Sequence, residues 1–99
     1  MATPIYHIVE EQKLGEQKDN KAYVHPSLEL EGFIHCSYLD QVDGVIDRYY
    51  KEHNNLILLK INPDLLKSDL VVEPSSNGEL FPHIYGPINW DCIVERTKL

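Results

Sequence analysis

The chain has no uninterrupted apolar run near the ~20 residues that a membrane-spanning helix requires. Its start, MATPIYHIVEEQ, shows no basic region followed by an apolar stretch and a small-residue cleavage site, so no secretory signal is read there. Cysteine is scarce: Cys36 and Cys92 stand alone, without a C-x-x-C spacing. Two such thiols suit a reducing, cytoplasmic compartment and read as buried, while a disulfide between them stays open at this level. Positive charge is also short. Nine Lys and Arg against sixteen Asp and Glu give a net charge of -7, which repels a phosphate backbone and argues against non-specific nucleic-acid binding. The basic residues are scattered, with no interleaved aromatic stripe of the kind a single-strand groove uses. A small anionic ligand would therefore need a local cluster of donors.

Signature motifs are missing too. No G-x-G-x-x-G and no P-loop pattern occurs, and regular strand-helix alternation is absent, so a doubly wound nucleotide fold is disfavoured. The five histidines (His7, His25, His35, His53, His83) show no H-x-x-x-H and no paired-cysteine spacing, and no metal site is expected. Ser37 lacks the G-x-S-x-G elbow that exposes a hydrolase nucleophile. Arg48 reads as a solvated helix-flank residue paired with Glu52.

What is present fits one domain, residues 1–99, of α+β class: about six short strands with one main helix. Residues 4–9 alternate as a strand, with Ile5, His7 and Val9 on one face and Tyr6 and Ile8 on the other. Residues 10–30 are polar and weakly periodic, with one or two helical turns within 16–22. Residues 32–36 form the second strand. Ser37 and Asp40 then make an S-x-x-D start for a helix running to about His53, with Leu39, Val42, Val45, Ile46, Tyr49 and Tyr50 on its apolar face. NLILLKI reads as a central strand and NPDLLK as a helical turn capped by Asn62 with Pro63 at its first position. LVVEP is a strand, SSNG a turn, FPHIYG a short strand that Pro82 marks as edge or irregular, and WDCIVER the last strand.

Two stretches carry the chemistry. EGFIHCS ends an apolar strand in a histidine, a cysteine and a serine, and FPHIYG repeats that grammar with His83 and Tyr85. His35 reads either as a structural histidine or as a ligand-facing one at a cleft rim, and His83 likewise. Their convergence in space, despite 48 intervening steps, is the expectation on which a shared pocket rests. Ser37 reads first as the cap of the following helix. His7 reads as a satisfied core histidine or as a pocket residue, Tyr85 as a half-buried aromatic or a stacking platform, and Glu73 as an exposed carboxylate or a functional one.

IYHI, GFIHCS, the QV and RYY of the helix, LILLKI, VVE and FPHIYGPI together resemble the bacterial and plant family catalogued as domain of unknown function 952, over essentially the whole chain. The resemblance implies a fold similar to the ADP-ribosyltransferase superfamily: a mixed, split sheet with a cleft that takes a nucleotide such as NAD. It implies His7 holding a ribose, Tyr85 or Ser37 shaping the nicotinamide pocket, and Glu73 supporting transfer. The function expected is then a small-molecule cleft lined by His7, His35, Ser37, His83 and Tyr85, either catalytic with Glu73 or a non-catalytic ligand-binding module.

Overall fold

A computed structural model of the chain describes residues 3–99. The first strand, β1 (Ile5–Glu10), is buried along nearly its whole length and pairs antiparallel with β4 (Leu56–Ile61), which pairs in turn with β8 (Ile93–Lys98). β4 thus holds the middle of its sheet, as its almost continuous apolar sequence requires. A second sheet has the order β3 (Ile34–His35), β6 (Leu80–Ile84), β5 (Leu70–Pro74). Two-residue strands β2 (Ala22–Tyr23) and β7 (Ile88–Asn89) form a small third ladder.

Every pairing among the described residues is antiparallel, in place of the mixed sheet that the family resemblance implies. The two three-stranded sheets meet at one point. There Tyr6 and Ser37 exchange backbone hydrogen bonds, each 2.7 Å long, and the strands then diverge. The split expected of the sheet is therefore real, and it falls where β1 leaves β3.

Two apolar clusters fill the two sides. Ile5, Val9, Tyr23, Ile34, Leu59, Ile61, Ile84 and Ile88 build the main core, covered by Leu14 of α1 (Glu11–Gly15), Leu28 of α2 (Ser27–Glu31) and Trp90. Cys36 and Cys92 are free thiols in this core, and burial drives both upward in pKa, Cys92 to about 11. Tyr6, Ile8, Val42 and Leu56 form the smaller cluster, on which Val45, Ile46 and Tyr50 of the main helical segment pack. The alternation read for β1 is the division between these clusters.

Several boundaries differ from the sequence reading. The main helix, α3, spans Val42–Tyr49, preceded by a 3₁₀ turn at Leu39–Gln41. It stops four residues short of His53: the chain leaves helical geometry at Tyr50 (φ -128°), and beyond it Asn55 takes a left-handed conformation (φ 57°) and ties back through its carbonyl to the Glu11 N–H. Ser37 caps nothing. The residue before the 3₁₀ turn is Tyr38, whose N–H donates to Gln41 Oε1 at 2.9 Å, and Ser37 spends its backbone on the bridge to Tyr6. The early helical turn lies at residues 11–15 rather than 16–22. Asn62 does cap its turn, accepting the Asp64 N–H at 3.0 Å.

Pro82 sits in a central strand, not an edge one. The Tyr85 N–H donates to Asp69 and the Ser75 N–H to Glu79, so odd-numbered positions of β6 bond β5 and the Pro82 nitrogen faces β3. There the ladder ends on a single bond, from the Cys36 N–H to the Pro82 carbonyl. The proline costs one bond at a place where β3 has stopped.

Gly44 lies on the exposed side of α3, and a Cβ there would meet only Arg48 Nη2, at an ordinary 3.5 Å. With no positive φ to lose, Gly44→Ala is expected to stabilise the fold by about 0.5–1 kcal/mol by removing backbone freedom from the unfolded chain. Urea midpoints of the two proteins measure it.

Candidate functional site

Because α3 covers only the β1–β4–β8 sheet, the neighbouring face of the second sheet is left open. In antiparallel register His35 stands directly opposite His83. Their pair is the non-hydrogen-bonded kind, since Cys36 carries the adjacent bond, and such pairs bring side chains closest. The ring centroids are 5.4 Å apart and nearly perpendicular. Phe33 stacks flat on His83 at 4.0 Å and meets His35 edge-on at 4.8 Å. The expected convergence of the two histidines is thus a cross-strand contact on a single face.

These rings line a cleft of about 560 Å³. Tyr6, Ile8 and Ser37 contribute from the seam, Val45, Arg48, Tyr49 and Tyr50 from the α3 side, and Pro74 to Asn77 from the β5–β6 turn. His7 and Cys36 also reach it, although they belong to the opposite side of β1 and β3 from Tyr6 and Ser37. Residues of both faces meet one cavity only because the sheet is open there.

Three of the cleft histidines, His7, His25 and His83, have their tautomer fixed by a partner. His7 Nδ1–H donates to the His35 carbonyl at 2.7 Å, and its Nε2 accepts from the Tyr23 hydroxyl at 2.8 Å. Burial holds it down at about 3, so the ring is neutral and offers no spare nitrogen. His25 Nδ1 accepts the Ser27 N–H at 3.1 Å and lies 2.9 Å from the Ser27 hydroxyl, which leaves its proton on Nε2. Desolvation lowers its pKa as well. His83 Nδ1–H donates to Glu73 Oε1 at 2.8 Å, and its Nε2 has no partner among the described residues. The cleft therefore holds one fixed N–H donor, His25, and one fixed acceptor, His83.

Glu73 does not line the cleft. It stands behind His83 on β5, where the same carboxylate oxygen accepts the Tyr85 hydroxyl as well. The Tyr85 bond first, then the His83 bond, hold the Glu73 carboxyl below its usual range, and Tyr85 is raised in return. Tyr85 is likewise outside the cleft lining and steadies Glu73. His35 is the exposed member, bonded through Nε2 to Glu31 Oε2 at 2.9 Å. Of the six residues singled out from the sequence, His7, His35, Ser37 and His83 reach the cleft directly and Glu73 and Tyr85 support it from behind. Sequence reasoning missed His25, whose H-P-S setting is a local turn signal without a functional one, and Arg48, whose approach to the cleft is a tertiary fact.

These features define a small α+β protein with antiparallel sheets split around a histidine-lined cleft. The chain belongs to the family described as protein of unknown function (DUF952), whose model matches residues 8–96. It is similar to the crystal structure of protein CC0527 from Caulobacter crescentus, with 28% identity, a TM-score of 0.88, and coverage of 98% of this chain and 86% of that one. The solution NMR structure of CC0527 gives a TM-score of 0.78 at 26% identity, covering 99% and 85%. No curated protein matches the chain. No helix among the described residues is long and apolar enough to cross a membrane.

The fixed neutral state of His7 has a thermodynamic consequence. Its folded pKa lies below its unfolded value near 6.5, so the unfolded chain binds the extra proton on acidification. The associated stability is complete above pH 6.5 and falls by up to about 1.4 kcal/mol per pH unit below it. His25 adds a slope of the same sign. Chemical unfolding at pH 7.5 and 5.0 is expected to show this loss, with a shallower dependence in His7→Gln; equal slopes in the two proteins would contradict the assignment.

Proposed function

We propose that the cleft binds a small nucleotide-like ligand and that His83, oriented by Glu73, handles a proton at the reacting centre. The observation that carries this is the state of one ring: His83 has Nδ1 tied to a carboxylate and Nε2 free among the described residues, inside a cleft. A carboxylate behind an imidazole fixes the tautomer and stabilises the imidazolium as it forms, which is how a general base is built. The volume of about 560 Å³ lies within the ~300–1,000 Å³ typical of small-molecule sites. Aromatic rings of Phe33, Tyr49 and Tyr50 suit a planar base or pyridine ring.

The reaction class this reading favours is ADP-ribosyl transfer from NAD, on an ADP-ribosyltransferase-like fold. The ribose C1′–nicotinamide bond breaks with its electron pair leaving on nicotinamide, an acceptor hydroxyl or water bonds C1′, and His83 Nε2 takes the acceptor's proton. Glu73 acts through His83 rather than on the ribose, since its carboxylate is already occupied by His83 and Tyr85. His7 positions the seam and, with both ring nitrogens bonded, offers a ligand no hydrogen bond. A cytoplasmic setting accords with the two unpaired, buried thiols.

The test is nicotinamide release from NAD alongside thermal stabilisation by NAD. Glu73→Gln is expected to keep most of the stabilisation and to lower turnover by 10²-fold or more, the range of general acid–base contributions. Stabilisation of the native protein without any turnover would make it a binding module, and neither response would remove the cleft assignment.

A further inference from the structure

We infer that Arg48 is the phosphate-binding residue of the cleft and that Glu79 is a resident counter-ion which the ligand's phosphate displaces. This rests on the reading of the cleft as a nucleotide-like site and names the group that would recognise the ligand's charge. The chain carries a net charge of -7, yet the cleft lining carries no such excess: Arg48 is its one Lys or Arg, and its single carboxylate, Glu31, is already bonded to His35. His25 adds one N–H donor at Nε2. An anion repelled by the acidic surface meets a guanidinium and an N–H donor there.

The geometry around Arg48 is that of a group held in reserve. Its Nε–H donates to the Gly44 carbonyl at 3.2 Å, which folds the side chain along α3, and Nη2 reaches Glu79 Oε1 only at 3.5 Å. Of five N–H donors, two are engaged. Glu79 is fixed more firmly than Arg48, since Gln41 Nε2 donates both to its Oε2 at 3.1 Å and to the Leu80 carbonyl at 2.7 Å, while Gln41 Oε1 holds the Tyr38 N–H. An exposed ion pair of that length contributes little, whereas a guanidinium fork on a phosphate makes two charge-assisted bonds. Exchange of Glu79 for phosphate moves Arg48 and leaves the β5–β6 turn in place.

The measurement is titration of the full chain with ADP, adenosine and inorganic pyrophosphate, by calorimetry and by NMR of the Arg48 Nε and His83 ring resonances. The native protein is expected to bind ADP at least 10-fold tighter than adenosine and to shift the Arg48 Nε–H with both ADP and pyrophosphate. Arg48→Ala and Arg48→Lys should each remove most of that preference without changing adenosine affinity. Glu79→Gln should tighten ADP several-fold by removing the competitor. If ADP still shifts His83 while the ADP-to-adenosine ratio is unchanged in Arg48→Ala, or if Glu79→Gln weakens ADP, the role of Arg48 is overturned and the cleft reading stands. If none of the three compounds shifts either residue, both fall.

Discussion

Two backbone hydrogen bonds between Tyr6 and Ser37 are the one ladder contact between the two three-stranded sheets among the described residues, and the cleft depends on that ladder going no further. One more rung would pair Ile8 with His35 and close the sheet. Instead the strands splay, and the carbonyl that His35 would have offered to β1 is taken by the imidazole of His7. A side chain thereby finishes a ladder that the backbone abandons, which satisfies a polar group that burial would otherwise penalise. The same contact fixes His35 at the rim, while burial keeps His7 neutral. Burial of His7 is tolerated because both its nitrogens are bonded, one of them to a tyrosine hydroxyl that is itself buried in the core.

Much of this was legible in the sequence, for identifiable reasons. Alternation along β1 and the apolar run of β4 report burial on two faces, and burial is what the structure gives them. The Asn62-Pro63 start and the SSNG turn are local chemistry, decided by residues a few positions apart. The convergence of His35 with His83 followed from two strands with the same ending. What failed depended on distant partners. Ser37 looks like a helix cap until the bridge to Tyr6 claims it, and Pro82 looks like an edge residue until β3 is seen to stop beside it. Glu73 could be picked out as a functional carboxylate, but its place behind His83, rather than facing the cavity, follows from register across β5 and β6.

Similarity to CC0527 extends over nearly the whole chain, and the family match runs from residue 8 to residue 96, so the split sheet is shared architecture rather than a peculiarity of this sequence. On that frame the histidines divide their work. His7 holds the seam, His25 presents a proton, and His83 presents a lone pair, each state dictated by the partner on its other nitrogen. On the proposed reading, a fixed donor and a fixed acceptor would be in place before a ligand arrives, which lowers the cost of ordering on binding.

Glu73 makes His83 an Nδ1–H tautomer whose Nε2 is free among the described residues. Long-range proton–nitrogen correlation spectra of the ring at neutral pH read this directly. A protonated, pyrrole-type Nδ1 and an unprotonated, pyridine-type Nε2 are expected for His83, converting toward equal tautomers in Glu73→Gln. A neutral His83 ring with its proton on Nε2 in the native protein would contradict it.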